Sequence, residues 1–377
     1  MKTAVTGQIL MILAIWVLSS VCAHAHIKLV SLPEREAVII RLENRSATLV
    51  EEERVLTLQK GINRVNFSWK NVDIDPDSVR LTMLTHPDQV TLLNVSYPPS
   101  ESSMVWEIAS EEAWEERVRV SYLLKNIDGL IAYKALADKA EKKVDLRGHL
   151  ILRNFSGEDF EKARIYMDFG ESFEQKIVHG ETRQNLLFTA GKVPMEKVWI
   201  FNARIQPWDP APLGMNAGIP VRYRIKNTEK NNLGQFGLPG GKIRVFQEDN
   251  HGSTIFLGED KIDYIPTGEK AEINIGDSRD ILVTQQRMQY KKINIRRNED
   301  NRIVLYDTDE KIYAKMENFK DQPAVLALIQ HIEGHWDMAE CNMKYRLKDS
   351  NTLEFEVPLA PGEKKELNMH YHRRNVR

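Results

Sequence analysis

Val118-Arg119-Val120-Ser121-Tyr122 places an apolar side chain at every second position. On an extended strand this period sends the three apolar groups to one face and the two polar groups to the other. Val79, Leu81 and Met83 read the same way upstream, as do Ile165, Met167 and Phe169, then Leu353, Phe355 and Val357, downstream. Turn chemistry separates these runs at Pro76-Asp77, Ser156-Gly157, Pro239-Gly240-Gly241 and Pro361-Gly362. The pattern predicts antiparallel sheets with one wet and one buried face. Helical signals are sparse. Only residues 110–116, with Ser110 as a cap, and residues 131–143 have a composition that permits a helix. The expected fold class is all-β: consecutive antiparallel β sandwiches of immunoglobulin-like type, with little helix.

The chain has 377 residues, of which 352 follow an N-terminal segment of 25 that reads as an export signal. Lys2 supplies the positive start, Ile9 to Leu18 the apolar run, and Ala23-His24-Ala25 the small-x-small cleavage pattern. Ten apolar residues reach about 15 Å as a helix, half of a bilayer core, so cleavage is expected rather than anchoring. No later segment is long and apolar enough to span, and Val21 before Cys22 disfavours lipid attachment. With Cys22 removed, Cys341 stands alone and no intramolecular disulfide forms. An exported chain without a disulfide fits a bacterial periplasm or cell surface. Charges nearly cancel, 52 Lys and Arg against 54 Asp and Glu, which argues against a nucleic-acid partner held by bulk charge.

Two proline-bearing stretches suggest boundaries. Pro98-Pro99-Ser100-Glu101-Ser102-Ser103 closes a first domain at about residue 105, and Trp208-Asp209-Pro210-Ala211-Pro212 breaks the chain again before 217. The expected division is a signal over 1–25, then β segments over 26–105, 106–217 and 218–377.

Residues with chemical capacity are few. His331-Ile332-Glu333-Gly334-His335 only superficially resembles a zinc-protease motif, because its Glu is third and its Gly weakens a helix. On one strand these two histidines would share a face about 13 Å apart, too far for one metal. His370 and His372 lie about 7 Å apart on one strand face, within a cationic terminus that reads as a last strand and a solvated tail. His26, as a new N-terminus, offers copper an amine and an imidazole, a geometry that needs another histidine nearby, which sequence does not place. Cys341 has no neighbour that would lower its thiol pKa, and no serine sits in a nucleophile elbow. The pairs Glu158-Asp159 and Glu259-Asp260 point to opposite strand faces, and Gly240-Gly241-Lys242 lacks the spacing of a phosphate loop. No catalytic residue, metal ligand or cofactor site is therefore expected.

Several segments in order resemble the mucoidy-inhibitor-like family of bacterial envelope proteins, whose C-terminal part is the domain of unknown function 4139. They are Asn231-Asn232-Leu233-Gly234, Leu238-Pro239-Gly240-Gly241-Lys242-Ile243-Arg244-Val245-Phe246, Phe256-Leu257-Gly258-Glu259-Asp260, and Phe355-Glu356-Val357-Pro358-Leu359-Ala360-Pro361-Gly362. Asn154, Ser156 and Gly157 match the family's strand and turn, and Gly61 to Val65 with Ile74 to Arg80 resemble its leading β domain. Two departures stand out: residues 98–110 replace a coiled coil, and a tryptophan expected near Gly129 to Tyr133 is absent. The resemblance implies exported β sandwiches and no chemistry. Its signature residues, Asn154, Ser156, Gly157, Leu238, Pro239, Gly241, Leu257, Gly258, Pro361 and Gly362, read as fold devices.

The function expected is a non-enzymatic exported protein that binds or scaffolds a protein partner, or itself, in the bacterial envelope, as an accessory or assembly subunit. Candidate contacts are Trp208 in the second proline-rich stretch and Arg373, Arg374 and Arg377 at the C-terminus. The alternatives are carbohydrate binding through Trp69, Trp106 or Trp114, and a metal-dependent hydrolase whose site separate strands assemble.

Overall fold

The computed structural model describes residues 28–44, 47–205, 218–249 and 251–377. Among these the chain is all-β: twenty-four strands and two single-turn 3-10 segments. No helix among the described residues is long and apolar enough to cross a membrane. Antiparallel pairing dominates. Parallel joins occur where sequence-distant strands meet, as between Ala37–Arg41 and Phe160–Tyr166 and between Glu181–Asn202 and Ala324–His331.

The chain forms two compact units. One gathers the described residues up to Gly129 with Leu152–Arg183. It has a four-stranded sheet, in the order Lys28–Ser31, Gly61–Ser68, Ser103–Ser110 and Val90–Ser96. Its six-stranded sheet runs Phe173–Ile177, Phe160–Tyr166, Ala37–Arg41, Thr48–Leu58, Trp114–Leu124 and Arg80–Met83. Inward side chains from both sheets make one core, in which Phe67 and Trp106 stack with ring centres 5.3 Å apart and Val118, Val120 and Tyr122 are buried. The alternation of Val118 to Tyr122 thus does what the sequence pattern implies.

The other unit comprises Leu130–Ile151 and Gln184–Arg377. A ten-stranded sheet runs through it, and beside that lies a four-stranded sheet in the order Ile281–Arg297, Ile303–Asn318, Lys364–Val376 and His335–Cys341. The inner face of the smaller sheet, with Val283, Ile312, Ala314, Met316, Leu367 and Met369, packs with Trp199, Leu326, Leu328 and Phe355. A further core holds Tyr133, Tyr223, Ile225, Ile243, Val245 and Ile273.

Buried asparagines close several strand ends. Asn154 donates to the Glu158 carbonyl and accepts from the Ser156 amide and hydroxyl. Asn227 and Asn318 repeat the device, the first donating to the Phe236 carbonyl and the second to the carbonyls of Gln322 and Ala360. Each side chain satisfies backbone groups that a turning strand leaves unpaired. Gly157 is required here: its φ is +90°, and a Cβ would lie 1.9 Å from the Asn71 carbonyl oxygen. At Gly241 a Cβ would meet the Ile131 carbonyl at 2.4 Å.

Several expectations change. Residues 110–116 and 131–143 form no helix: the strands Trp114–Leu124 and Ile127–Ala137 occupy them, and the Ser110 hydroxyl donates to the Glu112 carbonyl in a turn. Alternating burial of Tyr133, Ala135 and Ala137 overrides their permissive helix composition. The stretch at 98–103 closes a hairpin between Val90–Ser96 and Ser103–Ser110, so the chain crosses residue 105 inside one sheet. Proline and serine suit a tight turn as well as a linker, and sequence does not distinguish them. The second proline-rich stretch, with Trp208, lies outside the described residues, as do the export segment and His26.

Candidate functional site

The outer face of the small C-terminal sheet carries the polar counterpart of the core beneath it. Asp309 pairs in register with His372, Lys311 with His370, and Lys291 with Asp309. Strand alternation therefore brings Asp309, His370 and His372 together on one face, although sixty residues separate the aspartate from the histidines.

The His370 Nε2 lies 2.5 Å from Asp309 Oδ1, and the His372 Nδ1 lies 3.4 Å from the same oxygen. The three ligand atoms all fall within 4.8 Å of one another. Gln289 Nε2 donates to the other oxygen, Oδ2, at 2.6 Å and so fixes the carboxylate plane. The hydrogen bond from His370 holds the Asp309 carboxyl below its ordinary range; the charges of His370, His372 and Lys291 add to this against partial desolvation. The His372 Nδ1 is shielded from solvent yet makes no hydrogen bond. Beside the cluster a groove of about 450 Å³ is lined by Met288, Lys311, Glu340, Asn342, Asn368 and His370.

The same sheet carries a second exposed feature. Its last pairing between the central strands is Tyr306 with Val376, beyond which the hairpin of Ile281–Arg297 and Ile303–Asn318 continues as two strands alone. Every residue over 288–304 except Gln289 is exposed, including Met288, Tyr290, Ile293, Ile295, Ile303 and Val304. Over 287–307 six basic residues face three acidic ones. Lys292 lies over the Tyr306 ring at 4.2 Å.

The structure places the other candidates elsewhere. His331 ends the strand Ala324–His331, where its Nε2 lies 3.1 Å from Asn202 Oδ1 and its Nδ1 3.2 Å from the Thr352 hydroxyl. Gly334, with φ +81°, turns the chain before His335 begins another strand, so the two histidines share no strand. The C-terminus is a paired strand through Val376 and no solvated tail. Arg373 donates to the Glu333 carbonyl and faces the buried Glu310, while Arg374 pairs with Asp337 at 2.6 Å. The Arg373 pairing is half-buried within the chain, whereas the Arg374 pair lies on the surface, and Arg377, beyond the strand, is exposed.

Burial raises the Cys341 thiol pKa, which disfavours the thiolate, and its Sγ donates to the Met343 carbonyl. Glu158, in the turn before the strand Phe160–Tyr166, pairs with Arg35, and Glu259, inside the strand Thr254–Ile262, pairs with Lys242 and Arg244. Trp69 and Trp106 are buried and present no platform to a sugar, and Trp114 stacks on His86 with centres 4.3 Å apart.

A larger depression of about 730 Å³ in the N-terminal unit is lined by Arg35, Arg54, Glu158, Arg164 and Glu174. Its charges close on one another. Glu52 is fully buried, accepting from Tyr122 at 2.5 Å and from Arg54 at 2.6 and 3.0 Å, with Arg35 Nε at 2.8 Å.

Sequence reading found His370 and His372 but missed Asp309 and the arm. The signals were Asp307, Asp309 and Lys311 at alternate positions, and the polar turn Asn298-Glu299-Asp300-Asn301 between two alternating runs. No family model matches the chain, and no curated protein matches it either, so the likeness to the mucoidy-inhibitor-like family rests on the quoted motifs.

Proposed function

We propose that this chain is a non-enzymatic binding and scaffolding protein of the bacterial envelope, exported by its N-terminal signal, which docks a protein partner on the C-terminal hairpin arm. The observation that carries this reading is the arm. Two strands leave their sheet with apolar side chains exposed on them, where a buried position would stabilise each by about 1.5 to 3 kcal/mol. The outer strand, Ile281–Arg297, has one unpaired edge, and such an edge accepts a further strand through main-chain hydrogen bonds. Lys291, Lys292, Arg296 and Arg297 guard that edge against a second copy of the same basic segment. They select an extended partner segment carrying carboxylates, which offsets the surplus of bases.

Replacement of residues 294–303 by an Asn-Gly turn tests the reading, because the removed residues contribute nothing to the core. The full chain is expected to retain one acidic envelope protein in affinity capture and to release it at high salt, whereas the shortened chain retains none. Recovery of the same proteins by both chains overturns the proposal.

A further inference from the structure

We propose that Asp309, His370 and His372 bind one divalent first-row transition-metal ion, through Asp309 Oδ1, His370 Nε2 and His372 Nδ1. Two imidazoles and one carboxylate are the donor set that suits Zn²⁺ and its neighbours, whereas Ca²⁺ and Mg²⁺ take oxygen ligands. Ligand bonds of about 2.0 to 2.2 Å put neighbouring donors on a tetrahedral ion roughly 3.3 Å apart. The 3.4 Å between Asp309 and His372 already meets that spacing, and the 2.5 Å between Asp309 and His370 needs a small side-chain rotation to open.

Three observations separate this cluster from an ordinary surface ion pair. One histidine would complete a pair with Asp309, yet two converge on the same oxygen. The Nδ1 of His372 has neither water access nor a hydrogen bond, so its lone pair or proton is unused. Gln289 holds the far oxygen of the carboxylate, the kind of outer contact that orients metal ligands. Three protein ligands leave a further coordination position open, and a groove adjoins one of the three, His370. Across the ladder Lys291 and Lys311 face the site against the ion and Glu340 for it, while Asp337 is already paired with Arg374.

The test is equilibrium binding of Zn²⁺ to the full mature chain, with Ca²⁺ as the comparison ion and Co²⁺ absorption as an independent readout of coordination. One saturable Zn²⁺ equivalent is expected that His372→Ala and Asp309→Asn each weaken about tenfold or more. Gln289→Leu should weaken it by a comparable factor, and His251→Ala, on an exposed loop, should leave it unchanged. Both ligand variants lie on the solvent face, and a urea midpoint equal to that of the parent chain verifies that they fold. Zn²⁺ binding of equal affinity and stoichiometry in the parent and the ligand variants, or no saturable binding by the parent chain, overturns the proposal. So does competition by Ca²⁺ at the same site.

Discussion

Glu52 and Asp309 are both carboxylates on β strands among cations, and they differ in completeness. Glu52 is fully buried, and both of its oxygens are occupied by Arg54, Tyr122 and Arg35. Asp309 lies half-buried on an outer sheet face, with one histidine at bonding distance and another held just beyond it. A carboxylate whose partners close around it has no capacity left and acts as a fastener. One that leaves a shielded nitrogen without a hydrogen bond has capacity for a ligand.

Removing the fastener should have the largest effect. Glu52→Ala leaves the guanidinium groups of Arg35 and Arg54 with a partner missing in a buried setting and should cost about 3 to 5 kcal/mol, read as a fall in the urea midpoint at constant slope. The open cluster should respond in the opposite sense. Zn²⁺ at a hundredfold excess over its Kd should raise stability by about 2.7 kcal/mol, and His372→Ala should cut that rise to about 1.4 kcal/mol or less at the same Zn²⁺ concentration without lowering the metal-free midpoint. Tyr122→Phe removes one hydrogen bond to the buried carboxylate and should cost about 2 kcal/mol, measured in the same way.

The smallest effect expected is a change in acid sensitivity at a third cluster, where Arg224 bridges Glu272 and Glu354. Burial alone would raise both carboxyls. The charge of Arg224 and its hydrogen bond, with Arg222, outweigh burial at Glu272, and Arg346, Lys348 and Arg224 do so at Glu354, so both end below the usual carboxylate range. A depressed folded pKa contributes stability that is full above the unfolded value and is lost as pH falls through the folded one. Stability should therefore decline from about pH 5 downward, and Arg224→Met should flatten that decline. An unchanged slope in chemical denaturation at stepped pH would mean that these carboxyls titrate alike in both states.

The two halves of the C-terminal hairpin show why part of this was legible and part was not. Ile281 and Val283 alternate and are buried; Ile293 and Ile295 alternate and are exposed. Period two reports that a strand has two chemically different faces, and it carries no information about whether a second sheet covers the apolar one. The all-β class and the strand-closing Asn154-Phe155-Ser156-Gly157 were readable because strand alternation and turn chemistry are local. The hairpin role of residues 98–103 was not, since proline and serine serve linkers and tight turns equally.

The amino-acid sequence by itself determined that the chain is built from strands, where many of them turn, and that His370 and His372 share a strand face. Only the tertiary structure decided that Asp309 joins them, that Arg373 faces the buried Glu310, and that the hairpin outruns its neighbours. The physical reason is range: backbone propensity and alternation act over a few residues, whereas strand register places side chains sixty residues apart within hydrogen-bond distance.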